Sequence, residues 1–436
     1  MRARVGASTP APAQPADEFR GRPAWLRGSL TSSTFWRVPG MIRVLEILVS
    51  ILIVFLLAVV IGVFLPDSGH IERSVEVSNP VRQVYDSVNN FRRFPQWSAL
   101  RANDPQITFE RSGPESGVGA RIAWKSEVEK IGDGALTIAS SEPDSEVKMA
   151  LDNDWSGTDK VYTITLTPST NGRTVTIKWS YDVKYGWNLL WRYAGLYIHG
   201  TPDRLVQDSL GNLSNTLATF PNADYRDQAI EVVDVQSRPL LLIRAKVPRS
   251  LDEIAIATDE AVAKIDAVIQ KAGLQKAGPL TTITTNWGAE NYVFDIAVPV
   301  SSDTFTLDGK EFKITAAPET AAAAEDADES ADTTGEGGTG EKVYQPGELD
   351  ERGYLVVTDT IRGTLSYGGK ALSTDYTGNP AALPLLRLME RAYAETHGYA
   401  YSEMGTGRPY DETISDPATT PQDEQVLKVY LPVTIE

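Results

Sequence analysis

The stretch YTITLTPSTNGRTVTIKWSYDV (162–183) decides the fold of the first half of the chain. Apolar residues alternate with threonines before Asn171-Gly172, and they alternate with polar residues after it. A period of two separates the two faces of a strand, and Asn-Gly is a strong turn signal between paired strands. The segment therefore predicts a β-hairpin with one apolar face, which another part of the chain must cover.

The covering element is predicted to be a helix that begins at Thr201-Pro202. Leucine and valine residues recur at helical spacing from Leu205 to Leu217, and the pattern ends at Phe220. A threonine followed by proline is typical of a helix start, and the spacing indicates one apolar stripe. Upstream, IERSVEV (71–77) predicts a strand and Pro80 opens a short helix.

This order of elements over 71–221 resembles the START/SRPBCC superfamily of polyketide cyclase-like, helix-grip proteins. The likeness is carried by SNPVRQVYDSVNNFRRFPQWS (78–98), GVGARIAW (117–124), a strand pair at 135–151 and the closing helix. The resemblance implies an apolar cavity between sheet and helix that holds a hydrophobic molecule. Inward-facing aromatic residues are also typical of a plain core. The residues expected to line the cavity are Trp97, Trp124, Trp155, Trp179, Tyr181 and Trp191.

Residues 224–436 contain an internal repeat. Each copy has a strand, a helix and two further strands, and the copies end in YVFDIAVPV (292–300) and VLKVYLPV (426–433). The repeat resembles the GyrI-like effector-binding (SOUL-type) domain, a pseudo-twofold pair of such units around a central cleft. Between the copies, the acidic stretch 316–342 is rich in small residues and is expected to be a disordered loop.

The resembled family places a glutamate on the strand of the second repeat, where this chain has Lys428, and the equivalent position of the first repeat is Asp295. This departure argues against a cation-binding or hydrolytic role. Our hypothesis is that Asp295 and Lys428 pair across the cleft, which would favour an uncharged or anionic ligand. The alternative is that each is solvated at a strand edge. The other cleft candidates are Trp287, Tyr292, Tyr367, Tyr401 and Tyr430.

The segment ILVSILIVFLLAVVIGVFL (47–65) has no charged residue. A helix of this length crosses roughly 30 Å of hydrocarbon, so a transmembrane helix is predicted over 44–65. Seven arginines precede it, which predicts a cytoplasmic N-terminus and an extracytoplasmic or periplasmic ectodomain. The tail over 1–43 is expected to be disordered, because it is rich in Pro, Ala, Ser and Arg and has no periodicity. The alternative is a cleavable signal peptide, whose apolar region would be shorter and would end in a small-residue site. Met41 is an alternative start to Met1.

Composition limits the functions open to the chain. A formal net charge of −17 argues against nucleic acid, because phosphate binding needs a basic face. The chain has no cysteine, and its three histidines have no metal-ligand spacing, so neither a metal nor a cofactor is expected. The prediction is an α+β, membrane-anchored and non-catalytic receptor or carrier for a small hydrophobic molecule, such as a lipid or metabolite. The alternatives are a cyclase or hydrolase acting in one of the two cavities, and an envelope interaction protein without a small ligand.

Overall fold

The computed structural model describes residues 39–288, 290–318, 344–402, 404, 407–416 and 419–435. Most of the predicted tail (1–43) and of the predicted acidic loop (316–342) lies outside these residues, but 39–43 already belong to a helix and 316–318 are described. The chain divides into two units, Met1–Val60 and Ile61–Glu436. It is α+β, and the second unit holds two large antiparallel sheets.

The first described element is helix α1, Pro39–Phe64. Its segment Arg43–Phe64 is long and apolar enough to cross a membrane. The helix carries large apolar side chains around its whole circumference, and nearly all of them are exposed. A helix that is apolar on all sides needs either a core or a lipid phase around it.

The first sheet contains the predicted hairpin. Within the described ranges it has seven strands, all paired antiparallel in the order β1-β7-β6-β5-β4-β3-β2. In the hairpin of β6 and β7, Tyr162 pairs with Tyr181 and Ile164 pairs with Trp179. The strands are β1 Ser68–Val77, β2 Thr108–Ser112, β3 Arg121–Lys125, β4 Gly134–Glu142, β5 Glu146–Asn153, β6 Thr158–Pro168 and β7 Val175–Lys184.

The apolar face of this sheet is covered by a long helix, α6, Thr201–Thr219. Leu213 and Leu217 are fully buried, because the helical spacing of the leucines aims one stripe at the sheet. A seven-stranded antiparallel sheet wrapped on a long C-terminal helix is consistent with a helix-grip fold. The shorter helices of this region are α2 Val81–Val88, α3 Phe94–Trp97, α4 Leu100–Asn103 and α5 Leu189–Gly195.

Gly172 in the hairpin turn has a φ of +66°, which an L side chain rarely adopts. No atom would lie within 4 Å of an added Cβ, so the cost of Gly172→Ala comes from the backbone alone. We expect a loss of about 1 kcal/mol in the free energy of unfolding, measured by urea denaturation. The control is Gly211→Ala in helix α6, where there is also no clash. That change should instead raise the free energy of unfolding by about 0.5–1 kcal/mol. A change of the same sign in both variants would contradict this explanation.

The second sheet brings together strands from two separate stretches of the chain, 230–299 and 355–434. Among the described residues its order is β14-β15-β9-β11-β10-β18-β19-β16-β8, and β17 adds to β19. A separate hairpin pairs β12, Thr304–Leu307, with β13, Lys310–Lys313. The strands of the sheet are β8 Ile230–Val235, β9 Pro239–Pro248, β10 Leu280–Trp287, β11 Asn291–Pro299, β14 Leu355–Val356, β15 Arg362–Leu365, β16 Gly369–Thr377, β17 Ala400–Tyr401, β18 Tyr410–Thr413 and β19 Val426–Thr434.

Two helices cover one face of the second sheet. Helix α7, Leu251–Lys271, packs on Leu241 and Ile243 of β9, and helix α8, Leu383–His397, packs on Leu372 and Leu431. Two single-turn 3-10 helices, Pro380–Ala382 and Gln422–Glu424, complete the helical elements of the described ranges. The opposite face of the sheet carries no helix in those ranges, and it forms the cleft described below.

The two sheets are joined through a polar contact between α2 and the end of α8. The Tyr225 hydroxyl donates to Asp86 at 2.9 Å and lies 2.9 Å from the Thr396 hydroxyl. The Asn90 side chain donates to the backbone oxygen of Thr396 at 3.2 Å. Arg93 forms an ion pair with Glu395. Tyr225 and Asp86 are buried, so this contact fixes the two sheets relative to each other within the second unit.

Candidate ligand cleft

The helix-free face of the second sheet brings side chains from four strands into one row. Asp295 of β11 pairs with Ile283 of β10, Ile283 pairs with Tyr410 of β18, and Tyr410 pairs with Tyr430 of β19. Directly paired residues of antiparallel strands share a face, so the four side chains lie on the same side of the sheet. The neighbouring row contains Glu412, which pairs with Lys428.

A cavity of about 40 Å³ opens on this face. Leu240, Ile283 and Pro299 supply an apolar floor. Polar and aromatic side chains form the rim: Arg238, Tyr354, Tyr367, Arg408, Tyr410 and Glu412. An apolar floor with a few convergent polar groups is the usual composition of a small-molecule site, but a volume of about 40 Å³ holds only a few water molecules until the cavity widens.

Tyr410 and Tyr430 form a stacked pair beside this cavity. Their ring centroids are 4.6 Å apart with an interplanar angle of 14°. The Tyr430 hydroxyl donates to Glu412 at 3.1 Å, and Glu412 lies 3.8 Å from the Arg238 guanidinium. Burial, with Glu412 as a further cause, raises the pKa of both hydroxyls. Both phenols therefore stay protonated, and both residues are buried.

The predicted pairing of Asp295 with Lys428 is wrong. Asp295 accepts hydrogen bonds from Arg352 at 3.0 Å and from Arg244 at 3.1 Å. Lys428 instead pairs with Asp375 at 3.4 Å. Strands β10 and β18 lie between β11 and β19, which separates the two backbones by roughly 14 Å.

Asp295 is ionised although it is buried. Burial alone would raise the pKa of Asp295, but Arg352 and Arg244 outweigh that effect and lower it. The three side chains form a buried charged cluster at one side of the cleft face. Because the carboxylate is engaged by two guanidinium groups, it is positioned for structural support rather than for ligand contact.

The other predicted cleft residues divide between the two faces. Tyr367 lines the cavity and donates to the backbone oxygen of Lys370 at 2.7 Å. Tyr292 and Tyr401 lie on the opposite face, where Tyr292 stacks on Phe294 under α7 and Tyr401 packs in the cluster under α8. The expectation that these two tyrosines line the cleft is therefore corrected. The side chain of Trp287 lies outside the described part of the structure.

Sequence reasoning missed Arg238, Tyr410 and Glu412. Tyr410 and Glu412 alternate on β18, which has only four residues and follows Arg408-Pro409. The alternation of an aromatic and an acidic residue was a usable signal, but so short a strand gives no reliable period. Arg238 precedes β9 and carried no local signal.

The first sheet has a second, aromatic cavity. Its volume is about 30 Å³, and Trp124, Trp155 and Trp179 line it. Trp97 and Tyr181 pack around these residues, with Trp97 and Trp179 in edge-to-face contact, and Trp191 packs half-buried against the same core. Such a volume admits about two water molecules, not a lipid. Most of the predicted aromatic residues therefore serve as core in this conformation.

Two polar atoms of this aromatic cavity have no hydrogen-bond partner among the described residues. They are the Ser98 hydroxyl and the indole nitrogen of Trp179, and both residues line the cavity. Unpaired buried donors are costly, and a bound water commonly satisfies them. The cavity is accordingly suited to ordered water.

The described residues offer no cluster of three or more histidine and acidic side chains that could hold a metal ion. Burial raises the pKa of Glu390 on α8 to about 8. Its neighbours in space are Thr374 and Arg387. All of these groups lie on the helix-covered face, away from the cleft, so Glu390 is not placed to act on a molecule bound there.

No family model and no curated protein matches the chain. Similar solved structures include a protein from Nitrosospira multiformis at 18% identity, covering 34% of this chain and 94% of that one with a TM-score of 0.25. Norcoclaurine synthase from Thalictrum flavum is 16% identical over 35% of this chain and 88% of its own, with a TM-score of 0.27. The EcmrR C-terminal domain is 12% identical over 48% and 98%, with a TM-score of 0.30. Likenesses at this level carry no conclusion about activity, ligand or partner.

Proposed function

We propose that this chain is a membrane-anchored, non-catalytic binding protein whose small ligand occupies the cleft of the second sheet. The observation that carries the proposal is the stacked pair of Tyr410 and Tyr430, of which Tyr410 lines the cavity beside its polar rim. Residues 71–221 and 224–436 act as two domains of an extracytoplasmic part, and α1 is its single transmembrane anchor with the N-terminus in the cytoplasm.

The order of strands supports the duplicated architecture of the second domain. The first copy consists of β9, α7, β10 and β11, and its strands lie in the order β9-β11-β10 in the sheet. The second copy consists of β16, α8, β18 and β19, and its strands lie in the matching order β16-β19-β18. The two copies meet where β10 pairs with β18. A cleft at the junction of two such copies is shaped by both, so its side chains come from each half of the repeat.

The chemistry of the cleft favours an apolar, flat ligand that is uncharged or anionic. The charged side chains lining the cavity are Arg238, Arg408 and Glu412, two cations and one anion. Glu412 is further engaged by the Tyr430 hydroxyl, which reduces its attraction for a cationic ligand. An aromatic or polyunsaturated metabolite with a carboxylate or hydroxyl group fits these features.

The two cavities have similar volumes, about 40 Å³ in the cleft and about 30 Å³ in the aromatic cavity of the first sheet, so we assign the ligand to the cleft on the side chains that line each cavity. The walls of the aromatic cavity are side chains in tight edge-to-face contact, so a larger molecule would have to force them apart. Tyr354, Thr364 and Tyr367 border the cleft. The first domain then holds the second in place through the contact at Asp86 and Tyr225.

Anilinonaphthalene sulfonate is a flat apolar anion and a suitable probe of the cleft. We expect saturable binding to the full-length protein in nanodiscs, read by fluorescence after subtraction of empty nanodiscs. Tyr410→Leu should weaken binding about tenfold, because it removes one ring of the pair, while Tyr401→Leu on the opposite face of the sheet should leave it unchanged. Equal affinities for the wild type and both variants would remove the cleft as the binding site.

A further inference from the structure

An apolar patch lies on the surface at the end of the first sheet, between β7 and α6. Trp187, Leu190 and Tyr197 are 83%, 80% and 78% exposed, and Leu196 is 59% exposed. We call residues 187–197 the interfacial segment; it includes the short helix α5. Large apolar side chains exposed singly are ordinary, but four within eleven residues form a surface that calls for a partner.

The interfacial segment is attached to the last turn of α1. Arg192 donates to the backbone oxygens of Val63 at 2.9 Å and Leu65 at 3.1 Å. The same guanidinium donates to the backbone oxygen of Gly186 at 2.7 Å and lies over the ring of Trp187 at 5.3 Å. Arg192 is buried, so these bonds fix the orientation of the segment relative to the end of the helix.

The interfacial segment also packs closely against Gly62 in the last turn of α1. A Cβ atom at Gly62 would lie 3.2 Å from the ring of Tyr193 and 3.4 Å from Leu189. Phe64, the last residue of α1, is 85% exposed. The apolar surface of the helix end therefore continues into the exposed side chains of the interfacial segment.

We propose that the interfacial segment lies in the headgroup region of the bilayer that α1 crosses, which rests on the proposed anchor. Tryptophan and tyrosine concentrate at this depth, because each combines an apolar ring with a polar edge. Residues 187–197 contain Arg192 as their only charged residue, and its side chain is occupied by backbone oxygens. Attachment therefore comes from apolar insertion rather than from attraction to acidic lipids, and it is insensitive to salt.

Contact between the interfacial segment and the bilayer would give the proposed receptor a second attachment to the membrane, besides α1. One end of the first sheet is held at the membrane surface, by α1 and by the interfacial segment together. A second copy of the chain is the competing occupant of the patch, and the experiment below separates the two.

The chain has no cysteine, so single cysteines can carry a spin label without background. Full-length protein in phosphatidylcholine vesicles would be labelled at Leu190→Cys and Tyr197→Cys. Val54→Cys within α1 tests the anchor, and Val118→Cys, a 61% exposed site in another loop, is the water-exposed control. The measurement is collision of the label with oxygen, which partitions into lipid, and with a water-soluble nickel chelate.

We expect the labels at 190 and 197 to be several-fold less accessible to the nickel chelate than the label at 118. Their EPR spectra should also broaden when the vesicles contain doxyl-labelled lipid. Chelate accessibility at 190 and 197 equal to that at 118 would overturn the proposal. Protection without broadening by doxyl lipid would also overturn it, since a protein then covers the patch. The label at 54 decides the anchor separately, because it should be reached by oxygen and not by the chelate whatever the result at 190 and 197.

Discussion

Replacing Arg387 with methionine is expected to lower the free energy of unfolding by about 3–5 kcal/mol. Arg387 of α8 and Asp411 of β18 form an ion pair in which both side chains are almost completely buried, at 6% and 4% exposure. Burial lowers the pKa of Arg387, but Asp411 and Tyr292 outweigh it and raise the pKa. The guanidinium also donates to the Thr284 hydroxyl. Without Arg387, the Asp411 carboxylate is left buried and uncompensated.

The measurement is denaturant unfolding of the wild type, Arg387→Met, Asp411→Leu and the double variant. The double variant should recover most of the loss, because replacing both charges removes the desolvation cost together with the attraction. Lys428→Met is the control, since its partner Asp375 is exposed and such pairs contribute at most about 1 kcal/mol. A double variant as unstable as the sum of the single variants would contradict this account of the pair.

Glu390→Gln is expected to stabilise the protein at pH 8 by about 4 kcal/mol and to change little near pH 4.5. Glu390 is fully buried on α8, and burial raises its pKa from an ordinary 4.5 to about 8, against the lowering effects of Thr374 and Arg387. Between these two pH values the folded chain holds a proton that the unfolded chain has released. The stability contributed by the protonated group is complete below the unfolded pKa and is lost as pH rises towards 8.

Glutamine cannot ionise, so the variant should lack this part of the pH dependence. Unfolding curves at half-unit steps between pH 4.5 and 8.5 would show a slope in the wild type that is reduced in Glu390→Gln, by up to about 1.4 kcal/mol per pH unit. Glu110→Gln, at an exposed position on β2, is the control and should keep the wild-type slope. Parallel curves for the wild type and Glu390→Gln would show that Glu390 is ionised in the folded protein.

The local elements of the fold were predictable from the sequence. The hairpin around Asn171-Gly172 and the helix from Thr201 each carry an uninterrupted period over ten residues or more. The period of two along a strand determines which side chains share a face, so the burial of Trp179 and Tyr181 could be predicted from the sequence. The apolar helix α1 was predictable for the same reason, since its composition has no polar stripe.

The contents of the candidate site were less predictable, because they depend on contacts between distant segments. Asp295 is bound by Arg352, 57 residues further along the chain, and nothing near either residue indicates this pairing. Tyr292 and Tyr401 lie on the helix-covered face because of the register of β11 and of the two-residue strand β17. Cavity volume depends on rotamers, so the tight packing that leaves about 30 Å³ among the tryptophans could not be derived from composition.

The most direct test of the binding proposal is native mass spectrometry of the full-length protein released from nanodiscs, after incubation with a lipid and metabolite extract. The account predicts a discrete added mass that disappears on denaturation. The added mass should be retained by Trp179→Phe in the aromatic cavity and be lost or much reduced in Tyr410→Leu. An unliganded mass under all conditions, or an added mass that depends on Trp179 and not on Tyr410, would contradict a ligand site in the cleft.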